Sequence, residues 1–147
     1  MNRRRSKKQS NRLVRAAMIG DITLVRRLLQ AGASPQAADS GGTTPLYAAA
    51  VQGATDIADF LLRAGADPDV ESGHRTEGTP LCAAACWGHT ETVLTLIAAG
   101  ADPNLREDHG TGRSPLSWAM AGPYPETIAA LLSAGAHPAN EAPQAHA

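Results

Sequence analysis

Apolar positions recur along this chain in a fixed frame, with polar and turn-forming residues between them. Leu13, Leu46, Leu81 and Leu116 open four units, and Gly32, Gly65, Gly100 and Gly135 close them. The leucines stand 33, 35 and 35 residues apart, a period that points to stacked supersecondary units rather than one continuous core. In the clearest copy, Thr44-Pro45-Leu46-Tyr47-Ala48-Ala49-Ala50 is followed by Gly53, Ile57-Ala58, Leu61-Leu62 and Ala64-Gly65-Ala66-Asp67. Thr before Pro reads as an N-cap with proline at the first helical position. The leucine and small alanines then form a short helix that a neighbour can approach closely. Gly53 and Gly88 break the chain where left-handed backbone favours glycine. Ile57, Leu61 and Leu62 recur at helical spacing and predict a second, more apolar helix, closed by Gly65. Each unit is therefore loop, helix, turn, helix. Such a unit cannot bury its own apolar face and must stack.

The third copy repeats the frame as Thr79-Pro80-Leu81-Cys82-Ala83-Ala84-Ala85, Gly88-His89, Leu96-Ile97 and Gly100-Ala101-Asp102-Pro103-Asn104. The fourth has Ser114-Pro115-Leu116, Trp118-Ala119, Ile128, Leu131-Leu132 and Gly135-Ala136. With Thr-Pro-Leu-x-x-Ala-Ala, Gly-His and Gly-Ala-Asp-x-Asn all present, the chain resembles the ankyrin repeat over about residues 11–138. The resemblance implies an all-α ankyrin solenoid of helix-turn-helix units with projecting hairpin loops. Its repeats fall at about 11–38, 39–72, 73–107 and 108–138. The first lacks Thr-Pro and opens on Asn11-Arg12-Leu13, which suits a capping repeat. In the fourth, Pro123-Tyr124-Pro125 replaces Gly-His, so one helix should end near Gly122 and the next begin at Pro125. Residues 1–10 are expected to be a basic disordered leader and 139–147 a disordered tail.

Charge sharpens this picture. The net charge is only −1, but residues 1–12 hold six of the thirteen cations and no carboxylate, which leaves seven cations against fourteen carboxylates in the remainder. The body is acidic and the leader basic. Aromatic content is 3%, so the core must be leucine, isoleucine, valine and alanine. No run approaches the roughly 18 apolar residues of a membrane span, and no apolar stretch follows the basic start as a secretory signal would require. Two cysteines, Cys82 and Cys86, give no disulfide framework, which suits a reducing, cytoplasmic setting (or the nucleus of a eukaryote) and a monomer.

Candidate chemistry is sparse. Cys82, Cys86 and His89 form a short string reminiscent of half a zinc site, but a structural zinc needs a fourth ligand, and His89 fits the repeat's own helix start. His74 and His109 lie in two lengthened loops near Glu71, Glu77, Glu107 and Asp108, with nothing to position a nucleophile. No phosphate loop appears. The expectation is a non-enzymatic protein without cofactor or metal.

The resemblance also implies where a partner sits. In ankyrin proteins, positions after the double alanine and at the loop tips recognise other proteins on the concave side. Carried over, the helix positions are Met18, Ile19, Val51, Gln52, Cys86, Trp87 and Ala121. The loop positions include Thr43, His74, Arg75, Glu77, His109 and Arg113. Trp87 is either an exposed anchor or a plug between repeats, and the anchor reading is preferred. Trp118, two residues after Leu116, reads as core. Tyr47 either lines the groove or covers the neighbouring hairpin. Met18, Ile19, Val51 and Trp87 give an apolar stripe flanked by Arg75 and Arg113, as a protein-binding surface requires, and the acidic body favours a neutral or basic partner. The alternative function is a regulator or inhibitor tethered to nucleic acid or an anionic surface by the leader; nucleic acid is not the expected partner.

Overall fold

The computed structural model describes residues 2–138, apart from the side chain of Arg75; the expected tail, 139–147, lies outside the described residues. The helices come in pairs: α1 (Arg3–Ile19) with α2 (Ile22–Gln30), α3 (Pro45–Gln52) with α4 (Thr55–Arg63), and α5 (Pro80–Cys86) with α6 (Thr90–Ala98). A single turn, α7 (Glu107–Gly110), precedes the last pair, α8 (Pro115–Ala121) and α9 (Pro125–Ser133). First helices stack in the order α1, α3, α5, α8, and second helices in the order α2, α4, α6, α9. The result is two layers of helices joined by hairpin loops. Among the described residues the only extended pairing outside the helices is one antiparallel bridge, Ser72 to Gly78, in the third hairpin.

Local chemistry sets where the first helices begin. Thr44, Thr79 and Ser114 accept hydrogen bonds from the backbone N–H groups of Tyr47, Cys82 and Ser117 at 3.2, 3.2 and 3.1 Å. Each is followed by proline, which keeps the preceding residue out of the helical region and stops the helix growing upstream. The first copy has no such proline, and the leader departs from the disordered tail expected of it. α1 runs back through the basic residues to Arg3, capped by the Asn2 side chain on the Arg4 N–H at 3.0 Å. Helix propagation costs little once a packed segment has nucleated it. Contacts to the second hairpin hold the extension: Lys7 Nζ donates to the Asp39 carbonyl at 3.0 Å, and the Ser40 N–H donates to Asn11 Oδ1 at 2.9 Å.

The core is the repeat frame itself. Leu13, Leu46, Leu81 and Leu116 are at most 2% exposed, as are Leu61, Leu96 and Leu131 of the second helices. Burying each such side chain contributes about 1.5–3 kcal/mol. Alanines 16, 17, 49, 50, 84, 85 and 119 are likewise buried between first helices. Polar groups are registered from repeat to repeat as well. Gln36, Asp69 and Asn104 side chains accept from the N–H groups of Asp67, Asp102 and His137 in the next unit at 3.0, 3.0 and 2.9 Å. Thr55 pairs with Thr92 at 2.9 Å and Thr90 with Thr127 at 2.8 Å between the second helices. In the last repeat Leu131 is fully buried, whereas Leu132 and Met120 are exposed.

The turn between helices of a unit shows why glycine is needed there. Gly53 and Gly88 adopt left-handed φ angles of 66° and 70°. A side chain on either would also overlap a ring from the following repeat, His89 over Gly53 and Tyr124 over Gly88. His89 Nε2 completes its contact on the Val51 carbonyl at 3.0 Å. Tyr124, the departure in the fourth copy, thus fills the place the histidine has in the third. Gly88→Ala combines the left-handed penalty, about 1–2 kcal/mol, with displacement of Tyr124. Urea denaturation of this variant should show at least that loss of stability.

Candidate functional site

The first-helix face of repeats two to four carries a cavity of about 320 Å³. α3 supplies Tyr47, α5 supplies Cys82, Ala83 and Cys86 with Trp87 at its end, and α8 supplies Trp118. The third hairpin adds Thr76, Glu77 and Gly78, and the fourth adds Glu107 and Asp108. The whole chain contains two Trp, two Tyr and one Phe. Both tryptophans and one of the tyrosines line this cavity, although the core is aliphatic.

Each carboxylate is held by its own loop. Glu77 accepts from the hydroxyls of Thr43 and Ser72 at 2.8 and 2.9 Å, which ties the third hairpin to the second. Glu107 lies over Gly78, where a side chain would collide with its carboxylate. Its backbone closes the fourth hairpin, with the Glu107 N–H on the Arg113 carbonyl at 3.0 Å and the Gly112 N–H on the Glu107 carbonyl at 2.8 Å. The lengthened loops that carry these residues bend through left-handed backbone at His74, Asp108 and His109, with φ of 51°, 51° and 54°.

The electrostatics are strained. Burial first, and then the Asp108 and Glu71 charges, push the Glu107 carboxyl up, against partial relief from the Trp118 indole N–H and Cys82. The indole nitrogen of Trp118 is itself buried and makes no hydrogen bond of normal geometry. Burial, then Glu77 and Glu107, push the Tyr47 hydroxyl up to about 12. Burial, then Glu107, also push the Cys86 thiol up, with Arg113 opposing. A protonated thiol is a poor nucleophile.

The predicted site residues divide into groups. Tyr47 and Trp87 meet at the cavity, and Trp87 is 58% exposed, free to touch a partner. Arg113 stacks on Trp118, its guanidinium carbon 4.7 Å from the ring centroid. Met18 and Ile19 are exposed at the end of α1, Gln52 is exposed and Val51 half-buried. None of these four lines the cavity. His74 is used against the second hairpin, its ring beside Gly42. The His109 N–H donates to Glu71 Oε1 at 2.9 Å. Trp118 is corrected from a core residue: it is half-buried, packs on the aliphatic core and also forms a cavity wall. Its position matches Ala48 and Ala83 in the repeat frame, and a bulky ring where two earlier copies have alanine was the sequence signal for it. Among the described residues no group of three or more His, Cys, Asp and Glu side chains is arranged to hold a metal, and no helix is long and apolar enough to cross a membrane.

Two helix layers, capping Thr-Pro pairs and registered hairpins define a repeat protein of one class. The family model of ankyrin repeats (three copies) matches residues 2–72 and 69–142, and the chain belongs to that family. Its repeats are generally protein–protein interaction modules. Among curated relatives, the chain is 50% identical over 48 residues to ankyrin repeat and SOCS box protein 16 of Mus musculus, covering 33% of this chain and 11% of the relative. It is 44% identical over 57 residues to the 2-5A-dependent ribonuclease of Mus musculus, covering 38% and 8% respectively. With neurogenic locus notch homolog protein 4 of Homo sapiens the identity is 45% over 49 residues, covering 33% and 2%. The chain therefore spans only a small part of the length of these relatives.

The raised carboxyl of Glu107 makes a sign-specific prediction. A group that holds its proton more tightly folded than unfolded adds stability below its unfolded pKa and loses it as pH rises through the folded one. At neutral pH the Glu107 charge is thus a net cost. Glu107→Gln should melt at a higher temperature than the parent at pH 7. The difference should close as pH falls below the ordinary carboxylate range, checked by calorimetry across that interval.

Proposed function

We propose that this chain is a non-enzymatic interaction module that holds a partner protein on the face formed by its first helices and hairpin tips. The observation that supports this most strongly is the gathering of Trp87, Trp118 and Tyr47 around one cavity in a chain so poor in aromatics. Trp87 is absent from the core, and Tyr47 and Trp118 pack on the core with one side while lining the cavity with the other. Aromatic side chains in pockets are the residues that carry binding energy at protein interfaces. Met18 and Ile19 extend an exposed apolar margin along α1. The cations of the α1 extension (Arg3, Arg4, Arg5 and Lys8) are exposed on a helix, and they supply a salt-sensitive secondary contact for an acidic surface.

Affinity capture from source-cell lysate tests this reading. Circular dichroism first establishes that the parent, Trp87→Ala and a variant lacking residues 1–10 are folded. A partner retained by the parent should be lost with Trp87→Ala, since truncating such an anchor costs about 2 kcal/mol or more, about thirtyfold in affinity. Retention by Trp87→Ala together with loss on removing residues 1–10 would place the function on the basic helix instead.

A further inference from the structure

The cavity's chemistry specifies more than an apolar anchor would. Among the described residues its lining holds three carboxylates, Glu77, Glu107 and Asp108, and no cation. Three aromatic faces share the same volume of about 320 Å³. Carboxylates beside indole and phenol rings, with no counter-charge in the lining, favour a ligand that is both cationic and flat. Arg113 shows that the aromatic wall accepts a guanidinium, because it stacks on Trp118 at 4.7 Å. It does so from outside the lining, as an exposed residue at the end of the fourth hairpin.

We propose that this cavity receives an arginine side chain of the partner protein, stacked against Trp87 and Trp118 and paired with Glu107 and Glu77. The proposal rests on the reading of the first-helix face as the partner surface. Arginine fits better than lysine, since its planar guanidinium stacks on rings and pairs with two carboxylate oxygens at once. The cation would also relieve what burial imposes on Glu107. A carboxylate that is costly in the unbound protein becomes favourable once a guanidinium enters. Arg113 acts as the chain's own competitor for the aromatic wall, and a partner arginine displaces it.

The test uses the full chain and a defined probe, acetyl-Gly-Gly-Arg-Gly-Gly-amide, with its citrulline counterpart as the uncharged isostere. In ¹H–¹⁵N spectra the indole N–H signals of Trp87 and Trp118 should move saturably with the arginine peptide. The citrulline peptide should bind about tenfold or more weaker, the difference a desolvated cation–aromatic and ionic contact supplies. Glu107→Gln, which keeps the fold, should weaken the arginine peptide about fivefold or more, and Arg113→Gln should tighten it. Equal binding of citrulline, or no movement of either indole signal at millimolar peptide, overturns the proposal. So do shifts that track protein concentration in place of peptide, which would assign the cavity to the basic α1 end of a second copy. If the peptide fails while Trp87→Ala still releases the captured partner, the arginine inference falls and the first-helix face stands. If the peptide binds while Trp87→Ala retains the partner, the partner surface lies elsewhere and the assignment of the cavity to a partner's arginine is overturned.

Discussion

Each helix pair in this chain exposes an apolar face that only another copy can cover. Stacking therefore governs everything else. It requires first helices narrow enough to approach one another, hence the buried alanines at 16, 17, 49, 50, 84, 85 and 119. It requires one leucine per helix to fill the layer between, and a ladder of side-chain acceptors on backbone N–H groups in the loops to keep register. It also leaves the first-helix face and the hairpin tips without a structural duty. Both tryptophans stand on that face, Trp118 partly packed on the core and Trp87 exposed.

The cavity between α3, α5 and α8 lies on that face. Glu107 is partly buried beside other carboxylates, and Tyr47 faces Glu77 and Glu107. Neither arrangement helps the fold. Perturbed titrating groups of this kind concentrate at sites of function, where local stability is given up for recognition. The lengthened third and fourth hairpins turn through left-handed backbone at His74, Asp108 and His109 and bring Glu77, Glu107 and Asp108 to the cavity. His74 and His109 are thus parts of the support, one beside Gly42 and the other bonded to Glu71.

Much of the fold was legible because its signals are local. Thr-Pro marks a helix start within two residues, and a glycine in left-handed geometry marks a helix end. The leader was harder, because a run of cations reads as solvated chain unless the missing proline before Leu13 is weighed against it. The site was legible in part. Tyr47, Trp87 and Arg113 could be placed from their register, but Trp118 was assigned to the core from its distance to Leu116. Glu107 and Asp108 were visible only as loop charges. Their convergence depends on residues 47, 87, 107 and 118 meeting across three repeats. No local pattern encodes that contact; it follows from the stacking of α3, α5 and α8 and from loop length.

On the proposed reading, the fold tolerates an incompletely compensated carboxylate at Glu107, and a partner's cation completes the compensation. The most direct measurement is a ¹³C titration of the Glu107 side-chain carboxyl in the unbound chain and with saturating arginine peptide. The account predicts a value above the ordinary glutamate range without peptide and a clear fall with it. A Glu107 that titrates as an ordinary glutamate in the unbound chain, or that keeps its raised value with peptide bound, would contradict it.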